Sequence, residues 1–176
     1  MGYAVISTWK MSFPALTEAA RTLASDGRPV DAIQTAIRIV EGDESIDTVG
    51  YGGLPNRAGT VELDAAYMDG DTGLFGSVMG VRDVEHPIDL AVHLSQNRLN
   101  SALCGVGAEA CARSEGFAMR DMLSANSLSR YERERGKNSA GIPEARAFSR
   151  YSAIVRMPAS MVDMYGLDRQ KRVMSR

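Results

Sequence analysis

Hydrophobic positions recur along the chain with two different periods, and these divide it into elements. Leu16, Ala19, Ala20 and Leu23 fall at i, i+3, i+4 and i+7, the spacing of one helix face. Ser12-Phe13-Pro14 precedes that stripe as a helix start, and Gly27 closes it. A second stripe, Ile33, Ala36, Ile37 and Val40, follows Pro29 and ends at Gly42. The pattern predicts two antiparallel amphipathic helices joined by a short turn, each burying its stripe on something flat. Residues 3–8, YAVIST, are apolar and β-prone and predict a strand. TVELDAAYM (60–68) and GLFGSVMGV (73–81) flank an Asp- and Gly-rich turn, which predicts an antiparallel hairpin. A helix is expected over 86–100, with Pro87 in its first turn and Ile88, Ala91, Val92 and Leu99 apolar. A short strand within 101–107 and helices over 108–115 and 119–135 complete the reading. Helices, a hairpin and then helices again give an α+β layering.

From Lys137 the periodicity fades, and residues 147–176 hold six Lys/Arg against two Asp/Glu. The expected organisation is a folded half-domain over 1–136 and a basic, partly ordered arm over 137–176. Composition narrows the function classes. The 176 residues suffice for one domain with a full core, and 44% are hydrophobic. A net charge of −2 gives no field that would gather nucleic acid or an acidic membrane. No stretch reaches the roughly 18–20 apolar residues of a membrane span. Two cysteines, Cys104 and Cys111, are too few for a disulfide framework. Ten methionines fit an adaptable core or interface. MGYAVISTW has neither a basic start nor a long apolar run, so a chain starting at Met1 reads as cytoplasmic, unless a leader has been removed.

Several clusters are candidates for chemistry. Asp47-Thr48-Val49-Gly50 has the letters of a cleavage site at which a Thr becomes an N-terminal nucleophile. Gly50, Gly52 and Gly53 permit positive φ and close backbone approach, as a bulge or as a pocket wall with amides facing a ligand. GVGAEA (105–110) resembles the start of a dinucleotide fingerprint but lacks a clear βαβ unit and the following acidic residue. His86 and His93 share a helix face without the further ligands of a metal site. Cys104 is the best candidate for a thiol nucleophile, with nothing local to lower its pKa. Asp64 and Asp69, five apart, cannot grip one bond from a strand; they read as structural, Asp69 capping the turn. Trp9, the single tryptophan, ends the first strand, as core or as pocket wall. No cofactor and no metal is expected.

The order of these pieces is more specific than any one of them. ISTW, TEAARTLASDG, VDAIQTAI and then GYGG-x-P-x-x-x-G-x-x-x-LDA-x-x-MDG resemble the glycosylasparaginase branch of the asparaginase/isoaspartyl-peptidase family. GSVMGVRDVEHPIDLAVHL and VGAEACARSEGF continue the likeness, which covers about residues 3–125. The resemblance implies an αββα four-layer sandwich of the N-terminal nucleophile hydrolase type, with this chain as the α-subunit half. It implies autocatalytic maturation, a partner β subunit with an N-terminal Thr, a second αβ unit, and a small-molecule amide substrate of the asparagine type. No catalytic residue is then expected in this chain, because Thr48 falls on the family's Ser position rather than on its nucleophile. Trp9 and Thr48 would bind substrate from the α side, with Gly50, Gly52 and Gly53 as pocket backbone. The alternative is a non-catalytic α-like scaffold or regulatory protein.

Overall fold

A computed structural model of the chain describes residues 2–97 and 99–139. The part through Arg133 forms one compact unit, which holds every contact described below. The elements are α1 (Phe13–Ala24), α2 (Pro29–Gly42), β1 (Leu63–Met68), β2 (Phe75–Val81), α3 (Pro87–Ser95), β3 (Ala102–Cys104), α4 (Gly105–Ser114) and α5 (Ala125–Ser139). A single 3-10 turn, Lys10–Ser12, precedes α1. The basic arm expected from 137 lies, beyond Ser139, outside the described residues.

Three strands make one mixed sheet in the order β1-β2-β3. β1 and β2 form the expected antiparallel hairpin, with Ala65 opposite Val78 and Met68 opposite Phe75. β3 runs parallel to β2, with Met79 opposite Cys104, so β2–α3–β3 is a crossover unit. One face of the sheet is packed. Val78, Val81, Leu90, Leu94, Ala108, Ala112 and Met122 are sealed in a single cluster beneath α3 and α4. Each large side chain so buried contributes about 1.5–3 kcal/mol. Gly76 makes the close approach of α3 possible, since a Cβ there would meet the Ala91 carbonyl and the Ser95 amide.

The other face is largely open, although Ser77 on it is buried. Alternation places Ala66, Met68, Phe75, Ser77, Met79, Ala102 and Cys104 on it, and Met68, Phe75 and Met79 are exposed. The two amphipathic helices do not cover it. α1 packs on α2, and α2 sets Val30 and Ile37 against Tyr67, Ile88 and Ala91 at the side of the sheet.

Residues 3–8 correct the sequence reading, because they form no strand. A strand needs a ladder partner, and neither edge of this sheet pairs with them. Ile6 is 90% exposed and Trp9 69%. α3 stops at Ser95 rather than Asn100: Ser95 Oγ donates back to the Val92 carbonyl at 2.7 Å, and the Leu94 carbonyl takes the Asn97 amide. Leu99 lies outside the helix, 90% exposed. The last helix begins at Ala125 rather than 119. Residues 118–120 are held alongside 83–85 instead, through an isolated bridge from Val84 to Met119. Ser124 then caps α5 reciprocally: its Oγ accepts the Ser127 amide at 3.2 Å, while Ser127 Oγ accepts the Ser124 amide at 3.0 Å.

Candidate functional site

The candidate site is built around the loop after α2. Gly50 and Gly52 have φ of +67° and +85°, conformations open to glycine and costly to other residues. A Cβ on Gly50 would overlap the main chain of Glu41, closer than any real Cβ comes. The loop is tied down on every side. The Tyr51 amide donates to the Glu41 carbonyl at 2.7 Å, Gly52 to Met122 at 2.9 Å, Gly53 to Gly50 at 3.0 Å and Leu54 to Asp47 at 3.0 Å. Arg120 stacks over the Tyr51 ring, 3.4 Å from its centroid.

These bonds change the meaning of the glycines. The amides of Tyr51, Gly52 and Gly53 are taken inside the protein by the carbonyls of Glu41, Met122 and Gly50. What holds is close approach: Gly50 lies against Glu41 of α2, Gly52 against Glu44, and Gly53 against Gly50 and Val61. These bonds fix the loop on one side, and Thr48 and Val49 face solvent on the other.

Thr48 is exposed, with its Oγ1 3.8 Å from Met11 Sδ. Met11 lies in the 3-10 turn that starts just after Trp9, so the Trp9 segment and Thr48 meet through it. Trp9 anchors that turn, its carbonyl accepting the Ser12 amide at 3.1 Å, while its side chain stays largely exposed. Asp47 is ion-paired with Arg130 of α5, which fixes the loop's near end.

The remaining candidates resolve into structural roles. Asp64 is exposed at a β-bulge between Leu63 and Ala65, and its Oδ1 accepts the Gly80 amide at 2.7 Å. Asp69 caps the hairpin turn: Oδ1 accepts the amides of Thr72 (2.8 Å) and Asp71 (3.0 Å) and the Thr72 hydroxyl (2.9 Å). Those Thr72 bonds hold its carboxyl below the usual range. Cys104 lies at an open cavity of about 400 Å³ with Glu62, Arg82 and Glu109, and no His lines it. Burial pushes the Cys111 thiol up, away from thiolate chemistry. GVGAEA does follow a strand and open a helix, α4, but no further parallel strand follows it among the described residues. His93 is exposed, edge-on to Phe117 at 5.5 Å. Among the described residues no group of three or more His, Cys, Asp or Glu could hold a metal, and no helix is long and apolar enough to cross a membrane.

One pair escaped the sequence reading. Glu41, near the end of α2, is buried, and its Oε2 lies 3.1 Å from His86 Nδ1. Its Oε1 accepts the Ile88 amide at 3.2 Å. The signal was present: Glu41 adjoins the stripe residue Val40, and His86 directly precedes Pro87 at a helix start.

Comparison with known proteins matches residues 7–153 to the asparaginase family model. The N(4)-(β-N-acetylglucosaminyl)-L-asparaginase of Elizabethkingia miricola is 37% identical over 123 residues, covering 70% of this chain and 36% of that protein. The enzyme of the same name from Mus musculus is 35% identical over 124 residues, 70% of this chain and 35% of the relative. The isoaspartyl peptidase/L-asparaginase of Mus musculus is 35% identical over 103 residues, 58% of this chain and 31% of that protein. The chain spans about a third of the length of the curated relatives it matches.

Proposed function

The chain belongs to the asparaginase family, and from that premise we propose that it is the α subunit of an amidohydrolase acting on the side-chain amide of asparagine derivatives. The nucleophile is a Thr at the N-terminus of a partner β chain, whose α-amine removes the hydroxyl proton. The Thr oxygen attacks the amide carbonyl, the amine leaves with a proton, and water then hydrolyses the β-aspartyl ester to aspartate. Asparagine, glycosylasparagine and β-aspartyl peptides share that bond and are the substrate class.

The observation that carries this reading is the uncovered sheet face. Met68, Phe75 and Met79 form an apolar surface on a sheet whose opposite face is fully packed, which is what one inner layer of a sandwich presents before the second sheet is added. A four-layer αββα arrangement, completed by the β chain and repeated as a pair of αβ units, would cover it. Residues 3–8, which form no strand here, would find a ladder partner in the completed assembly. Trp9 and Thr48 would then line the pocket from the α side, the glycine loop holding Thr48 in place.

Intact mass, N-terminal sequencing and an amidase assay on the native protein test the proposal. The expected result is a second polypeptide that begins with Thr, together with hydrolysis of at least one of the three amides. A single 19.0 kDa species without hydrolysis refutes it, and is the result a non-catalytic scaffold gives. Thr48→Ala should lower kcat/KM about tenfold, ~1.4 kcal/mol, and leave turnover measurable. Complete loss would instead make Thr48 the nucleophile.

A further inference from the structure

We propose that Glu41 is the positioning residue of the glycine loop. Its buried carboxylate clamps the first turn of α3 while its own main chain carries the loop, so the setting of Tyr51–Gly53 follows the protonation of the Glu41–His86 pair. The proposal rests on reading that loop as the mount of the pocket residue Thr48.

Glu41 joins three elements through one residue. Its carbonyl accepts the Tyr51 amide, and Gly50 lies directly against its main chain. Its two carboxylate oxygens face the Ile88 amide and His86 Nδ1. A carboxylate buried to this degree is tolerated only when its charge and lone pairs are met. Losing the His86 contact would leave it poorly compensated at the point from which the loop hangs.

The surrounding charges leave His86 as its counter-group. Asp89 of α3 is taken by Arg38 of α2, whose Nε reaches its two oxygens at 2.7 and 2.8 Å, and Gln34 adds a bond at 2.9 Å. Glu85 faces Arg120 of the 118–120 segment at 3.5 Å. Each remaining acid near the pair thus has its own arginine.

Burial pushes the Glu41 carboxyl above its ordinary value, and the bonds from His86 and Ile88 pull it partly back. The bond to Glu41 holds the His86 imidazole above its ordinary 6.5, against its own partial burial. For His86, the stabilisation is fully present below pH 6.5 and is lost as pH rises through the raised value. Glu41 adds to the same trend for a different reason: burial makes its ionised form costly, and that cost enters as pH rises through its raised value. The clamp therefore loosens from mild acid toward alkaline pH.

The chain has two histidines, so a His93→Gln background leaves His86 as this chain's one imidazole to follow by NMR titration. Hydrogen-exchange protection of residues 49–54 is measured across the same pH range on the protein as purified. We expect a His86 midpoint above 6.5 that falls in Glu41→Gln. Loop protection should drop as pH passes that midpoint in the parent and stay flat in His86→Asn, which covers the case of a Glu41 variant that does not fold. A midpoint unmoved by Glu41→Gln, or loop protection indifferent to His86 titration, overturns the proposal. Neither readout needs turnover, so failure of the amidohydrolase reading is distinguished from failure of this one.

Discussion

Val78 and Met79 are consecutive residues of one strand, yet Val78 is fully sealed and Met79 is 50% exposed. The strand's period of two sends one side chain under α3 and α4 and the other to the uncovered face. The two faces carry similar apolar chemistry. They differ in whether this chain supplies the covering layer. On the packed side the buried cluster runs from Val61 to Met122, with Tyr51 and Leu123 against it, and Val30 and Ile37 of α2 close the part around Tyr67 and Ile88. On the open side two methionines and a phenylalanine have no cover among the described residues. Hydrophobicity alone therefore does not mark the core of this molecule, since Met68, Phe75 and Met79 are apolar and exposed.

Substitutions on the two faces separate those cases. Leu94→Ala, on the packed side, should cost about 2–5 kcal/mol in chemical denaturation, through lost burial and the cavity left behind. A smaller loss would mean that α3 is less tightly seated than its burial indicates. Gly50→Ala should cost about 1–3 kcal/mol from the positive φ alone, with the overlap on Glu41 added. The same denaturation curve, with hydrogen exchange in residues 45–54, checks whether the damage starts in the loop. Ser124→Ala breaks the reciprocal cap of α5 and should cost about 1 kcal/mol, read as a modest drop in Tm. Met79→Asp is expected to change the chain's own stability least, by about 0.5 kcal/mol or less, because the site is a surface in this chain. It should nonetheless abolish co-purification with a β chain. A large loss of intrinsic stability there would show that the open face is already covered within this chain.

The same contrast explains what could be read from the sequence. Helices α1 and α2 were legible because proline, glycine and a 3.6-residue stripe mark them locally. The hairpin was legible because Asp69 and the glycines of its turn name it, and Asp69 caps it as its position suggested. The strand expected over 3–8 failed because a strand is half of a pair, and composition does not say whether the partner is present. The late start of α5 failed because the backbone of 118–120 is engaged by residues 83–85, a non-local pairing without a periodic signature. At the site, Gly50 and Gly52 mark places of close approach, and the amides of Gly52 and Gly53 are taken by carbonyls of this chain. Which groups take up an amide is decided by distant carbonyls such as those of Glu41 and Met122. Glu41 itself was passed over because acidic residues next to a stripe are ordinarily solvated.

The β2–α3–β3 crossover carries a kinetic consequence. Its strands and helix, with β1 before and α4 after, follow one another along 63–114, so the contacts that close the packed face are short in sequence and inexpensive in loop closure. That layer can condense early, in a first-order step indifferent to protein concentration. A cover for Met68, Phe75 and Met79 supplied from outside residues 63–114 would be a separate, later event, and until it came the apolar face would favour aggregation.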